Sequence, residues 1–174
     1  MNPTHPFNVF NFCPKCGSAA FKSACERSLH CSKCGFTIFI NAAAAVAALI
    51  SDDNNKLLLT VRGIEPDLGK LDLPGGFINP GESAEDALKR ELHEELGLKI
   101  KSMKYIGSAP NEYIFNGLSI FTLDMAFTVV PWTLDDIRPM DDITDFNFFS
   151  EKNIDYTQIP APSIKSFVQQ FFNK

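Results

Sequence analysis

Residues Gly75 to Leu98 read GGFINPGESAEDALKRELHEELGL, and the stretch sets Glu91, Glu94 and Glu95 directly behind Arg90. Ser83 followed three residues later by Asp86 is an N-cap of the capping-box type. Ala84, Leu88, Leu92 and Leu96 recur at helical spacing, and Gly97 supplies the stop. A helix with one apolar stripe is expected here. Glutamates at i, i+3 and i+4 share a helix face and repel by about 0.2–0.5 kcal/mol per pair. Three such glutamates are usually a solvated face. The alternative is a hard cation, Mg²⁺ or Mn²⁺, which takes oxygen ligands and is usually completed by substrate phosphates.

The segments on either side alternate. Ala42–Ile50 and Leu57–Arg62 are apolar, strand-like runs separated by the turn cluster Ser51-Asp52-Asp53-Asn54-Asn55. Leu71 to Phe77 is a short strand broken by Pro74-Gly75-Gly76. Further strands are expected around 104–108, 121–130 and 145–149. Ile164, Phe167, Val168, Phe171 and Phe172 give a second helical stripe near the C-terminus. Strands interrupted by two separated helices indicate a mixed α/β domain over residues 41–174.

Residues 1–40 form a different module. Cys13-Pro-Lys-Cys16-Gly17 and Cys31-Ser-Lys-Cys34-Gly35 are two CxxC knuckles with fourteen residues between them. Four thiolates so spaced can close a tetrahedron around structural Zn²⁺. Two disulfides or a redox pair are the alternatives, but nothing in the sequence implies an oxidising compartment. Cys25 and His30 are left over, Cys25 as a bystander in the hairpin between the knuckles.

Net charge is −5, yet residues 1–40 carry Lys15, Lys22, Arg27 and Lys33 against Glu26 alone, so the remainder holds −8. That balance argues against broad nucleic-acid binding by the main domain. The longest apolar run falls short of the roughly 20 residues of a membrane span, and no secretory leader is visible. A cytoplasmic protein is expected, with no membrane partner, nucleic acid disfavoured as a partner, and a homodimer admissible.

The helix and its loop resemble the Nudix hydrolases. Gly76, Glu82, Arg90, Glu91, Leu92, Glu94, Glu95, Gly97 and Leu98 fill every fixed position of the pattern G-x5-E-x7-R-E-U-x-E-E-x-G-U, where U is a bulky aliphatic residue. The resemblance implies an α/β/α sandwich with a mixed sheet, here behind a zinc ribbon, that hydrolyses a nucleoside diphosphate linked to another moiety. It further implies that Glu91, Glu94 and Glu95 bind Mg²⁺ or Mn²⁺, with the Gly76 carbonyl as a further ligand. Arg90 and Glu82 would brace the helix. Glu94 is the first candidate for a carboxylate that also takes a proton from water. In several relatives the base lies on a distal loop, where this chain has Asp141 and Asp142, and an ordinary acidic turn is the competing reading.

A zinc ribbon before the box is similar to the NADH pyrophosphatase branch, which carries Ser-Gln-Pro-Trp-Pro-Phe-Pro shortly afterwards. At that offset this chain has Ser108-Ala109-Pro110-Asn111-Glu112-Tyr113-Ile114. Ser108 and Pro110 persist, Tyr113 is a candidate for stacking on a base, and the Trp-Pro-Phe-Pro portion is missing. ADP-ribose, NADH or a related dinucleotide is the expected substrate, without strict NADH selectivity. Two other readings stay open: a Nudix-fold nucleotide sensor without turnover, and an RNA-associated hydrolase that trims nucleotide caps.

Overall fold

The computed structural model describes residues 2–173, so the end residues Met1 and Lys174 of the two expected modules lie outside the described residues. The chain divides into two compact units, Met1–Ala42 with Glu112–Phe121, and Ala43–Asn111 with Thr122–Lys174.

The first unit opens with a one-turn helix α1 (Pro6–Val9), capped by the His5 imidazole, which accepts from the Phe7 N–H. Strands β1 (Phe21–Cys25), β2 (Ser28–Cys31) and β3 (Thr37–Phe39) form an antiparallel sheet with Phe21 opposite Cys31 and Leu29 opposite Ile38. Its small core consists of Cys13, Phe21, Leu29 and Cys31, with Phe7, Phe36 and Ile38 packed around them. Four such side chains are a thin core for a module of this size, which is why small modules commonly depend on a bound metal. The tip at 112–121 groups with this unit through Thr4, whose hydroxyl and carbonyl bond the Ser119 hydroxyl and N–H, and through His5, whose ring tilts against Phe121.

The second unit is built on β4 (Ala43–Ile50), which pairs in parallel with β9 (Leu118–Pro131) and antiparallel with β7 (Gly75–Phe77). With β8 (Ile100–Phe115) at the far edge, the sheet order is β7-β4-β9-β8. A second sheet has the order β10-β5-β6, from β10 (Ile143–Phe149), β5 (Leu57–Arg62) and β6 (Leu71–Asp72). Helix α2 (Ala84–Leu96) packs Ala87, Leu88, Leu92 and Leu96 against Val46, Ala48, Ile50, Phe127 and Val129. Helix α3 (Pro162–Phe172) packs Ile164, Phe167, Val168 and Phe171 against Ala47, Leu49 and Ala126 on the opposite face. Alternate residues of β4 feed the two clusters, which explains its unbroken apolar run: the strand is buried on both sides. Each fully buried leucine contributes about 2 kcal/mol. The mixed sheet between two helices is the expected α/β/α arrangement.

Helix α2 begins and ends where its caps stand. The Ser83 hydroxyl accepts the Asp86 N–H, and Gly97 adopts a left-handed φ of 67° that lets its N–H and that of Leu98 reach the His93 and Leu92 carbonyls. The expected stripe shifts slightly: Ala84 is only partly buried, while Ala87 and Glu95 are buried. Strands β8 and β9 run longer than expected and meet at Asn116-Gly117, both at positive φ, the backbone of a tight two-residue hairpin turn. Among the described residues no helix is long and apolar enough to cross a membrane.

Candidate active site and metal centre

Strand β7 lies against the second half of α2, at Arg90, Glu91 and Glu95, and the contact is made possible by glycine. A Cβ on Gly75 would meet the Val46 carbonyl oxygen at 2.1 Å, and one on Gly76 would meet the Glu91 carboxyl group at 2.6 Å. Gly75 excludes any side chain because it meets backbone at a positive φ, whereas a side chain at Gly76 would displace the Glu91 carboxylate that rests against it.

Arg90 organises the acids around it. Its Nε and one terminal nitrogen donate to the two Glu82 oxygens at 2.9 Å each, a fork that fixes the loop to the helix. The same terminal nitrogen reaches the Phe77 carbonyl at 3.0 Å, and the other donates to Glu91 at 2.7 Å and Glu94 at 3.0 Å. Hydrogen bonds from Arg90 and the Asn79 N–H hold Glu82 below the usual carboxylate range. Its bonds to the Glu82 and Glu91 carboxylates hold Arg90 above its ordinary value.

The three helix glutamates, adjacent in sequence, differ sharply in surroundings. Glu94 leaves 46% of its side chain in solvent, Glu91 14%, and Glu95 is buried. Burial pushes Glu91 up, with Arg90 opposing. Glu95 is pushed up to about 8, chiefly by burial, then by the charges of Glu91, Asp72 and Asp142, while its hydrogen bond from the Gly75 N–H at 2.9 Å pulls the other way. Glu95 is buried without a cationic partner among the described residues, and the one arginine is shared among Glu82, Glu91 and Glu94. Their carboxylate oxygens are donors of the kind a hard divalent cation takes, but in this arrangement the glutamates do not converge on one point as the four cysteines do.

The folded chain therefore holds a proton on Glu95 that the unfolded chain releases between its ordinary value of 4.5 and about 8. Its contribution to stability is full below the lower limit and declines as pH rises through the window. With divalent ions chelated, Tm is expected to fall from pH 5 to pH 8 more steeply in the wild type than in Glu95→Gln. Parallel profiles would refute the burial of an uncompensated carboxylate.

Asp141 and Asp142 sit before β10, on the segment whose Met140 and Arg138 N–H groups bond the Glu95 and Leu96 carbonyls at the end of α2. The fold thus brings this acidic pair to the glutamate helix, and Asp142 acts electrostatically on Glu95. Ser108 and Pro110 are exposed on β8, at the opposite edge of the sheet from β7, and are not brought beside the glutamates. Tyr113 is half-buried and belongs to the first unit. The Phe77 carbonyl and the Gly75 N–H were missed in the sequence. Their only signal was the glycine pair itself.

In the first unit Cys13, Cys16, Cys31 and Cys34 bring their sulfurs within 4.8 Å of one another, the group of metal-ligating type found among the described residues. Cys13 to Cys34 and Cys16 to Cys31 are each 3.7 Å, and none is disulfide-bonded. A tetrahedron with 2.3 Å metal–sulfur bonds has edges of about 3.8 Å, so the four thiols fit a small zinc site. Gly17 and Gly35, at φ 69° and 73°, turn each knuckle back so that their N–H groups bond the Cys13 and Cys31 carbonyls. Burial raises the Cys31 thiol, but the Cys34 and Lys33 amides outweigh it and bring it down to about 7. The Phe36 amide lowers Cys34, yet burial and the surrounding thiols push it up to about 12. His30 bonds Thr37 and Cys25 bonds Ser28, both away from the cluster.

The family model described as NUDIX domain matches residues 41–168. The chain belongs to the Nudix family. Its fold is similar to a NUDIX hydrolase from Nitrosomonas europaea, with a TM-score of 0.66 at 22% identity over 94% of this chain and 91% of that one. It is also similar to the NUDIX domain of Shewanella oneidensis NrtR complexed with ADP ribose, with a TM-score of 0.57 at 20% identity over 76% and 86%. Among curated proteins it resembles the NAD-capped RNA hydrolase NudC of Pseudomonas syringae pv. tomato, 34% identical over 56% of this chain and 34% of that protein. NudC of Vibrio parahaemolyticus is 27% identical over 69% and 45%. The chain spans less than half the length of these curated relatives.

Proposed function

We propose that the chain is a metal-dependent Nudix hydrolase that cleaves the pyrophosphate bond of a nucleoside diphosphate linked to another moiety, such as ADP-ribose, NADH or a related dinucleotide. The observation that carries this reading is the buried Glu95 carboxylate, which no cationic side chain reaches among the described residues, next to the Glu91 carboxylate against the Gly75-Gly76 backbone. Glu91, Glu94, Glu95 and the Gly76 carbonyl would hold Mg²⁺ or Mn²⁺. A cation held there would supply charge neutralisation for phosphoryl oxygens and a lowered pKa for an attacking water.

The remaining work falls to the chain. Glu94, the most exposed of the three, is placed to take the proton from water. Arg90 keeps Glu82, Glu91 and the Phe77 carbonyl in one arrangement, so the glutamates need little reordering to act. Asp142 is the second candidate base.

The test is kcat/KM with Mg²⁺ across ADP-ribose, NADH and a flavin dinucleotide, with products identified by chromatography. The NudC relatives add an NAD-capped RNA oligonucleotide to that panel. A nucleoside monophosphate is the expected product, with NADH within about tenfold of the best alternative, because a few altered contacts are worth ~1–3 kcal/mol. Binding without hydrolysis of any of them would leave a nucleotide sensor.

For the thiol cluster we propose structural zinc. Purified protein is expected to contain about one zinc per chain. Cys31→Ser should lose it and destabilise the first unit, whereas Cys25→Ser should keep it. Elemental analysis without zinc, together with four titratable thiols at these positions, would reject the site.

A further inference from the structure

The sheet face turned toward α3 carries polar groups that its apolar cluster does not explain. Residues directly opposed on adjacent strands share a face. Ala47 is opposed to Gly75 and to Ala126, and both alanines belong to the cluster beneath α3. Two residues back along β4, Ala45 is opposed to Phe77 on one side and Asp124 on the other. Phe77, Ala45 and Asp124 therefore form a row across three strands on the same face. The row is roughly 10 Å wide, since strands lie about 4.8 Å apart, and its middle is a single methyl group. Asp124 is 6% exposed and Phe77 43%.

The next row outward continues the polarity. Ala43 is opposed to Thr122, and counting back from the Asn116-Gly117 turn sets Asn111 opposite Thr122. Asn111 Oδ1 and Thr122 Oγ1 are buried with no hydrogen-bond partner among the described residues. A buried unpaired oxygen costs about 1–3 kcal/mol, and folded proteins rarely leave two together.

Asp124 adds a third acceptor. Its Oδ2 accepts from the Ser163 hydroxyl, in the first turn of α3, where the N-cap residue Ala161 makes no side-chain cap. A side-chain tie between α3 and β9 thus accounts for one carboxylate oxygen. Among the described residues no side-chain or turn hydrogen bond occupies Oδ1. Acceptors gathered in this way match a ligand edge rich in N–H. The row also ends on the edge strand β7, whose Gly76 lies against Glu91 on the face toward α2, so a ligand with its phosphates at the glutamates would pass around that edge to set its ring system next to Ala45.

We propose that Asp124, supported by Asn111 and Thr122, determines substrate specificity by accepting a hydrogen bond from the exocyclic –NH2 of a flat heterocycle lying on Ala45. The proposal rests on the hydrolase reading above. Such an –NH2 belongs to the adenine amine or to the nicotinamide carboxamide, and matched substrate pairs tell them apart. In the first pair, ADP-ribose is compared with IDP-ribose, in which a carbonyl replaces the amine. In the second, NAD is compared with its nicotinic acid analogue, in which a carboxylate replaces the carboxamide.

The wild type is expected to favour the –NH2 member of one pair by tenfold or more in kcat/KM, carried mainly by KM. Asp124→Asn, whose amide can present either oxygen or nitrogen, should bring that preference to within about threefold. The pair that responds names the ring. Wild-type ratios near one in both pairs would overturn the proposal. So would an unchanged preference in Asp124→Asn alongside a lowered Tm, which is what a structural tie to Ser163 alone predicts. If that variant does not fold, Thr122→Val removes the unpaired hydroxyl without changing shape and should reduce the same preference; an intact preference there overturns the proposal. Hydrolysis of none of the four compounds would remove the hydrolase reading and leave the row to be judged by binding. Calorimetry of AMP against IMP, and of nicotinamide against nicotinic acid mononucleotide, then decides: tighter binding of an –NH2 member supports the row, and equal binding in both pairs overturns it.

Discussion

Glu94→Gln is expected to lower kcat by at least ~10²-fold, the scale of a lost acid–base or charge-stabilising group, while leaving the fold in place. Glu94 leaves 46% of its side chain in solvent and makes one bond, to Arg90 at 3.0 Å. An ion pair that exposed contributes little, within about 1 kcal/mol, and glutamine preserves the side chain's length and volume. Tm should therefore shift by no more than about 3 °C. The pairing of large kinetic loss with small thermal loss is the signature to look for. Near-normal turnover with excess Mg²⁺ would exclude Glu94 as base and as ligand, and would move attention to Asp142.

Arg90→Ala is expected to fail in the opposite way, through stability as well as activity. Arg90 leaves 26% of its side chain in solvent and is bonded to Glu82, Glu91, Glu94 and the Phe77 carbonyl. Its removal strands two mostly buried carboxylates, at a cost of about 3 kcal/mol, or roughly 10 °C in Tm for a chain of this size. Activity should drop at least ~10-fold as the carboxylates drift from their arrangement. Arg90→Lys should recover part of the stability but not the fork to Glu82, because an ammonium is a point charge without the planar pair of donors. Unchanged kinetics in Arg90→Ala would contradict the bracing role.

Much of this site was legible in the sequence because its elements are locally specified. Ser83 and Gly97 delimit α2, the leucines set its buried face, and the knuckle glycines announce the thiol cluster. The distinction between Glu94 and Glu95 was not legible. Neighbours on a helix point about 100° apart, and only the position of β7 decides which of them loses its solvent. The length of β8 was hidden for a related reason. Its partly buried apolar residues, Ile100, Met103, Ile106 and Ala109, fall three apart rather than two, so alternation did not show how far the strand expected around 104–108 extends. The row through Asp124 was also invisible, since it exists only once three strands distant in the chain are in register.

The grouping of residues 112–121 with the N-terminal segment bears on how the protein can be cut. A truncation at residue 41 leaves the whole stretch matched by the family model, yet it strips the hairpin tip of Thr4 and His5. Ser119, 2% exposed in the full chain, would lose both of those bonds. Limited proteolysis between the ribbon and β4 should therefore yield a nicked complex that stays together, not a freely released catalytic fragment.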